Sequence, residues 1–196
     1  MDPDRVVFTP FPATIEPDVP TSTGDYLFAG GNSMRDYALL AEAVRGTGVR
    51  CRVASTWEPE ETSEEIEVGT VPHEEFVDLL AGCRASVVPL ERTVRSAGQQ
   101  SYLNAMMLGK PVIVTEAPGV HDYIEDGVTG VVVPPEADAL RAAILDVMDP
   151  ARAEHYALMG RRAREWVLAN VTQDVYKDEV LLEAIGVPPE DEPARP

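Results

Sequence analysis

Residues 85–115 read ASVVPLERTVRSAGQQSYLNAMMLGKPVIVT and decide the fold class. Within this stretch, residues 85–90 and 112–115 are apolar runs that lack the polar alternation of a half-exposed strand, so both are predicted to be buried strands. The segment between them is predicted to be helical over residues 99–108 and to end at Gly109, the residue type that most often terminates a helix. A buried strand, a helix and a second buried strand predict a parallel β–α–β unit.

The same alternation continues on both sides of this unit. Residues 26–29, 50–54 and 65–68 are predicted strands before it, and residues 131–133 form another strand after it. Because each of these runs is followed by a helical pattern, the sheet must be covered on both faces. We therefore predict an α/β fold, a Rossmann-like, doubly wound parallel sheet with helices on both faces. The further predicted helices lie around residues 35–44, 76–83, 137–148, 151–169 and 173–185.

The ends of the chain differ from its centre. Residues 1–22 contain five prolines and predict an extended N-terminal arm or inter-domain linker, with at most a short strand at residues 6–8. Residues 23–186 are predicted to form the single folded domain, because a chain of 196 residues is long enough for one core. Residues 187–196 are acidic and proline-rich, which predicts a disordered tail.

Charge and cysteine usage exclude several classes of protein. The chain has 34 acidic and 16 basic residues, for a formal charge of -18, so neither nucleic acid nor an anionic membrane is an expected partner. The sequence predicts no transmembrane segment and no signal peptide. Cys51 and Cys83 are predicted to be free thiols in a reducing compartment, and the protein is expected to be cytoplasmic.

The first candidate site is the loop that follows the predicted strand at residues 26–29. Gly30 and Gly31 allow close backbone approach, and the helix that follows is expected to offer unpaired N–H groups to a phosphate. Arg35 adds a positive charge and a bidentate donor. The alternative interpretation is a plain strand-to-helix turn with a surface arginine.

The second candidate site lies between the strand at 85–90 and the helix at 99–108. Ser96 is predicted to cap the helix, while Ala97 and Gly98 leave space for a ligand, and two arginines precede the turn. This combination predicts a phosphate cradle; the alternative is a capped surface turn. On the same helix, Asn104 is interpreted either as a structural amide bonded to backbone or as a ligand contact.

The histidines give weaker signals. His73 is predicted to be a surface residue in the first turn of a helix, and His121 lies in a turn near the expected cleft, where it could contact a ligand. No histidine pair has the spacing of metal ligands and no Cys-x-x-Cys pair occurs, which argues against a metal site. No cofactor is expected either.

The segments 103–115 and 119–135 resemble the donor-binding half of retaining GT-B glycosyltransferases, most closely the large family that contains bacterial polysaccharide and lipid glycosyltransferases. The similarity extends over residues 25–182 and is most specific over residues 96–135. It implies a donor that is a nucleoside diphosphate sugar, a transferase of the hexosyltransferase type and no metal. The implied diphosphate-binding residues are Gly30, Gly31, Arg35, Ser96, Ala97, Gly98 and Gln99; Gln100 and Asn104 are implied for ribose or sugar, and Thr70 and Val71 for the nucleobase.

The sequence also departs from this family. Ser96 and Asn104 stand where the family often has glutamates, and the acceptor-binding N-terminal half is missing. We therefore expect an acceptor-binding domain in the same full-length chain or in a separate partner, with this chain inactive by itself. The alternative is a non-catalytic nucleotide-binding or partner-completing module. A nicotinamide-dependent dehydrogenase is disfavoured, because the loop at residues 30–35 lacks the three-glycine spacing.

Overall fold

A computed structural model describes residues 9–61, 63–92 and 94–177. Six strands in these residues form one sheet in the order β3-β2-β1-β4-β5-β6, and every adjacent pair is parallel. This confirms the predicted Rossmann-like parallel sheet. The strands are β1 Tyr26–Gly30, β2 Arg50–Ala54, β3 Ile66–Gly69, β4 Ala85–Val88, β5 Val112–Thr115 and β6 Val131–Val133.

The helices agree with the predicted positions to within a few residues. The strand predicted at 85–90 ends at Val88, because Pro89 has no N–H to donate to a neighbouring strand. The predicted strand at 6–8, the tail at 187–196 and the helix beyond residue 177 lie outside the described residues. The helices are α1 Tyr37–Val44, α2 His73–Gly82, α3 Gln99–Met107, α4 Ala137–Met148, α5 Ala153–Asn170 and α6 Gln173–Val175, with a short 3-10 helix at Pro150–Arg152 before α5.

Two apolar clusters lie on the two faces of the sheet. Successive residues of β1 point to opposite faces, so that Leu27 belongs to one cluster and Phe28 to the other. The Phe28 face is covered by α2, α3 and α5, with Leu103 and Met106 of α3 fully buried. The Leu27 face is covered by α1 and α4. Helices therefore cover both faces, as predicted.

The chain reverses its direction of winding between β1 and β4. These two strands are neighbours in the sheet, yet the helices that follow them, α1 and α3, pack on opposite faces. The loops after the two strands separate at this point and leave a crevice at the carboxyl ends of the strands, where open α/β sheets bind their ligands.

The N-terminal arm packs on the domain along α3 and α5. Its described part, residues 9–22, contains no helix or strand. Ala13 donates its backbone N–H to Val171 O at 2.8 Å, and Arg164 donates to Pro17 O at 2.6 Å. Lys110 is buried and its ammonium group donates to Ser22 O. The arm is therefore fixed to the domain at several points along its length, while the predicted domain boundary at residue 22 stays a prediction.

Two further sequence predictions concern the thiols and the membrane. Cys51 and Cys83 are both free and buried, and burial raises the pKa of each thiol to about 12. They are therefore poor nucleophiles near neutral pH. Among the described residues, every helix is too short or too polar to cross a membrane.

Candidate functional site

A cavity of about 480 Å³ opens at the crevice between β1 and β4. The two predicted loops form its opposite sides, and the N-terminal arm and α2 complete it. Cavities of this size commonly hold small ligands. The lining residues are Phe11, Thr14, Ile15, Gly31, Asn32, Ser33, Met34, Arg35, His73, Phe76, Arg95, Ser96, Ala97, Gly98, Gln99, Gln100, Ser101 and Asn104.

The first candidate loop, residues 30–35, needs glycine at its first two positions for two different reasons. Gly30 ends β1 just behind the cavity, where a Cβ atom would lie 2.5 Å from the Phe76 ring. Gly31 has a φ of 104°, a conformation that residues with a side chain rarely adopt. Met34 also has a positive φ, 55°, which is uncommon for a residue with a side chain. The loop is thus held in an unusual conformation at the edge of the cavity.

The helix after this loop does not offer its N-terminus to a ligand. Its first residue is Tyr37, and Asp36 is the N-cap, whose carboxylate accepts the Leu39 N–H at 2.9 Å. The prediction that unpaired N–H groups of this helix receive a phosphate is therefore wrong. An aspartate already occupies that position and supplies the negative charge that the helix dipole favours.

Arg35 is the main positive group on this side of the cavity. Its guanidinium donates to Ser33 O and to the hydroxyl oxygen of Ser101, both at 2.7 Å. Its Nε–H is buried and has no hydrogen-bond partner among the described residues. No carboxylate of the described residues forms an ion pair with it, and burial lowers the pKa of the guanidinium from its ordinary value. Arg35 is thus a desolvated cation without a counter-ion.

The second loop presents the N-terminus of α3 to the cavity. The N-cap is Gly98, with a φ of 86°, and among the described residues no side chain caps this helix. The prediction that Ser96 caps α3 is therefore wrong: its hydroxyl accepts the Gln99 side-chain amide instead. A Cβ atom on Gly98 would lie 2.9 Å from Leu90 Cδ2, so the turn has no space for a larger residue. The first turn of α3 carries no acidic side chain, which leaves its positive end open to an anion.

Arg35 and the N-terminus of α3 lie next to each other at the same part of the cavity. The 2.7 Å hydrogen bond from Arg35 to Ser101 joins the guanidinium to the first turn of α3. The described residues that line the cavity include Arg95 but no aspartate or glutamate, in a chain whose net charge is -18. The cavity is therefore a locally positive region of an acidic protein, and its geometry suits a small anion.

Asn104 is buried and bonded to the N-terminal arm. Its Oδ1 accepts the backbone N–H of Thr14 at 2.8 Å and of Ile15 at 3.3 Å, and its Nδ2 donates to Thr14 Oγ1 at 3.1 Å. Gln100 also donates to Thr14 Oγ1, at 2.6 Å. Of the two interpretations of Asn104, the structural amide describes these contacts, and its role toward a ribose stays a prediction.

The sequence missed the arm as a wall of the cavity. Phe11, Thr14 and Ile15 line it, but a proline-rich segment has no periodicity from which a packed position could be predicted. The predicted nucleobase contacts, Thr70 and Val71, do not line the cavity. They follow β3 and precede α2, whose residues His73 and Phe76 do line it. His73 is exposed, as predicted, but it is exposed to the cavity.

His121 lies outside this cavity, in a second and more open depression of about 650 Å³. Its Nε2 is 3.0 Å from Glu116 Oε2, and this hydrogen bond raises the pKa of the imidazole above its ordinary value. Gly119 separates the depression from the cavity and packs against the Ser96 side chain. Among the described residues, no group of histidine, cysteine, aspartate and glutamate side chains is arranged to hold a metal ion.

Comparisons with known proteins support the predicted resemblance. The family model for glycosyl transferases group 1 matches residues 33–149, more than half of the chain. No functionally curated protein matches the chain in sequence. The matched segment contains β2 to β6, the loop before α3 and the end of the first loop with Arg35, whereas Gly30 and Gly31 lie outside it.

Solved structures with the same fold are about twice as long as this chain. HepE from Anabaena, in complex with UDP and glucose, is 14% identical with a TM-score of 0.68, over 83% of this chain and 48% of HepE. Sucrose-phosphate synthase from Thermosynechococcus elongatus is 17% identical with a TM-score of 0.65, over 85% and 47%. A glycosyltransferase from Rickettsia africae is 16% identical with a TM-score of 0.69, over 86% and 49%. By its sequence match, and with a fold that agrees, the chain belongs to the glycosyl transferases group 1 family.

Proposed function

We propose that this chain is the donor-binding half of a glycosyltransferase and that its cavity holds the diphosphate of a nucleoside diphosphate sugar. The family match supports a transferase. The similarity to proteins solved with UDP or UDP-glucose supports a sugar nucleotide as the ligand. We infer a hexosyltransferase acting in the cytoplasm.

One observation carries this proposal. The Arg35 guanidinium is partly buried and bonded to Ser101 in the first turn of α3, and within the described part of the chain its Nε–H has no partner and no side chain caps that helix. Burying a cation without a counter-ion costs free energy, and this cost is offset when an anionic ligand binds beside both the guanidinium and the N-terminus of α3. A diphosphate has enough acceptor oxygens to engage both.

The same two groups explain how the chain would assist the reaction. During transfer, the bond between the anomeric carbon and the diphosphate oxygen breaks, a bond to an acceptor oxygen forms, and the acceptor hydroxyl gives its proton to the departing phosphate or to water. The electron pair stays on the diphosphate, whose negative charge increases. Arg35 and the backbone N–H groups of α3 would stabilise this charge without a metal.

The acceptor site is proposed to come from another domain. The chain covers about half the length of the solved structures that it matches. We propose an acceptor-binding N-terminal domain, in the same full-length chain or as a separate partner. The chain alone is then expected to bind donor but not to transfer sugar.

A second candidate is a non-catalytic nucleotide-binding module. The absence of any carboxylate from the described cavity lining favours it, as does the use of Asn104 to hold the arm. The two candidates differ in one outcome: when supplied with the missing domain, a donor-binding half transfers sugar, whereas a non-catalytic module does not.

Titration calorimetry of the purified chain with UDP, GDP and ADP tests the proposal. We expect one of these nucleotides to bind, and Arg35→Met to weaken that binding at least about tenfold, since charge-assisted hydrogen bonds are lost. Arg161→Met is the matched control, because Arg161 is exposed on α5, far along the chain from the cavity loops. No binding of any of the three nucleotides would overturn the proposal.

A further inference from the structure

A pocket of about 410 Å³ lies at the opposite ends of the strands from the cavity. Arg84 directly precedes β4 and Pro111 directly precedes β5, so the pocket opens at the amino ends of the strands. The end of α3 and the start of α5 form its other walls. The length of α3 separates the two spaces, about 14 Å for a helix of nine residues. The pocket is therefore separate from the proposed donor site, and it has no role in the function described so far.

The charge of this pocket contrasts with that of the chain. Its described lining includes two cations, Arg84 and Lys110, and neither an aspartate nor a glutamate, although the chain has 34 acidic and 16 basic residues. Neither cation forms an ion pair with a carboxylate of the described residues. The lining residue Tyr156 donates its hydroxyl to Asp146 at 2.5 Å, but the charge of this carboxylate is matched by an ion pair with Arg152. The pocket is therefore locally positive and suits an anion.

Lys110 is a buried cation whose hydrogen-bond partners are neutral. The residue is 4% exposed, and its ammonium group donates to the backbone oxygens of Ser22 and Cys83. An ammonium group has a third N–H donor. Burial lowers the pKa of this group from its ordinary value. Because a buried charge without a counter-ion costs free energy, an anion that binds beside Lys110 would stabilise the folded protein.

Arg84 lies next to Lys110 and has unused donors. The Lys110 ammonium donates to the carbonyl oxygen of Cys83 at 3.2 Å, and Arg84 is the next residue. The Arg84 Nε–H donates to Val147 O at the end of α4, also at 3.2 Å, which fixes the side chain. Within the described part of the chain, its two terminal nitrogens have no hydrogen-bond partner. A guanidinium fixed in this way can offer both terminal nitrogens to the oxygens of a phosphate.

Hydroxyl and apolar groups complete the pocket. Thr21 and Thr23, at the end of the N-terminal arm, are exposed and line it. Pro111 and Ala157 contribute apolar surface. A pocket with charged, hydroxyl and apolar groups suits an anion that carries a small organic group.

We propose that this pocket binds a phosphate monoester, with the phosphate held by Arg84 and Lys110. A phosphate monoester carries about 1.5 to 2 negative charges near neutral pH and has three acceptor oxygens, which match the two cations. The volume of about 410 Å³ leaves room for the attached organic group beside the hydroxyls of Thr21 and Thr23. The site is independent of the proposed function, since the donor is expected at the other ends of the strands.

The two lysines of the chain give a direct test by NMR of isotopically labelled lysine side chains. Lys110 lines the pocket, and Lys177 lies outside it and serves as an internal control. The probes are inorganic phosphate, glucose 6-phosphate and glucose. We expect both phosphates to shift the Lys110 signals only, with glucose 6-phosphate effective at the lower concentration, and glucose to shift neither lysine.

Substitution of Arg84 provides the second measurement. Arg84→Met should weaken binding of glucose 6-phosphate at least about tenfold, because charge-assisted hydrogen bonds are lost. Arg161→Met, on the exposed side of α5, is the matched control. Urea denaturation shows whether the variant is folded, and Arg84→Gln, which keeps an amide donor, takes its place if it is not.

A third variant distinguishes the pocket from the cavity. Arg35→Met changes only the cavity and should leave the response of Lys110 to glucose 6-phosphate unchanged. Loss of that response in Arg35→Met would assign the binding to the cavity and overturn the proposal.

The remaining outcomes are equally decisive. If neither phosphate shifts Lys110, if both lysines shift together, or if a folded Arg84 variant binds like the wild type, the proposal is overturned. Equal affinity for inorganic phosphate and glucose 6-phosphate would show that the organic group makes no contact, which contradicts a monoester site. None of these outcomes depends on whether the chain binds a nucleotide.

Discussion

Substitution of Arg35 by methionine should change stability and ligand affinity in opposite directions. Methionine keeps an unbranched apolar side chain of similar length but removes the charge. The guanidinium is partly buried, and among the described residues it has no carboxylate counter-ion and its Nε–H has no hydrogen-bond partner. Removing such a cation is expected to raise the free energy of unfolding, because replacement of buried ionic groups by apolar ones is often neutral or stabilising by about 1–4 kcal/mol.

Two hydrogen bonds reduce this gain. Arg35 donates to Ser33 O and to the Ser101 hydroxyl. In the variant, the Ser101 hydroxyl can still donate to Gly30 O, which lies 3.3 Å away. Ser33 is exposed, so water can replace the lost hydrogen bond to its carbonyl oxygen. We therefore expect a net stabilisation of about 1 kcal/mol, at the low end of that range. For a domain of this size, this corresponds to a rise in Tm of about 2–4 °C.

Nucleotide affinity should fall in the same variant. A hydrogen bond to a charged group contributes about 1.5–3 kcal/mol, and every 1.4 kcal/mol is a factor of ten, so one lost phosphate contact weakens binding by roughly 10- to 100-fold. Arg35→Lys should lie between the wild type and Arg35→Met, because it keeps the charge but loses the planar fork.

Urea denaturation and calorimetry on the same preparations measure the two effects. Arg161→Met, on the exposed side of α5, should leave both unchanged. If Arg35→Met lowers the Tm by several degrees and binds nucleotide like the wild type, then Arg35 is a structural residue. The inference of an anion site from its burial would then be refuted.

Three further outcomes are expected. Gly160→Ala should destabilise the domain by about 2–4 kcal/mol in urea denaturation, because its Cβ would lie 2.1 Å from Gly109 O and force α5 away from α3. Asn104→Leu should lower the free energy of unfolding by about 1–3 kcal/mol, because two backbone N–H groups of the arm lose their acceptor. The pKa of His121, measured by NMR, should lie above that of a free imidazole and fall in Glu116→Gln. The stabilising effect of this pair should be present just below the ordinary imidazole pKa and disappear as the pH rises through the raised pKa of His121.

The sheet could be predicted from the sequence because its central strands, β1, β4 and β5, are buried on both faces. Residues 85–88 and 112–115 contain almost only apolar side chains, and a run of this kind is unambiguous when helical patterns surround it. The same alternation predicted that both loops follow strands at the carboxyl edge of the sheet. That the two loops face each other across one crevice is shown only by the structure, because the strand order was not predicted.

The capping groups could not be predicted in the same way. Ser96 was expected to cap α3, but the chain turns at Gly98 with a positive φ, and the serine hydroxyl pairs with Gln99. Asp36 was not expected to cap α1, although aspartate is a preferred N-cap residue. A helix boundary that is uncertain by two residues changes which side chain is the cap, and with it which helix end is open to a ligand.

The hydrogen bonds between Thr14 and Asn104 connect the irregular N-terminal arm to the cavity at the crevice. If an adjoining domain pulls the arm away from α3, one wall of the cavity moves, and the affinity for a ligand changes with it. By linkage, a bound ligand that holds this wall in place resists the same displacement with an equal free energy. The position of a neighbouring domain would then change the affinity of the cavity for its ligand, and a bound ligand would change the position that the domain prefers.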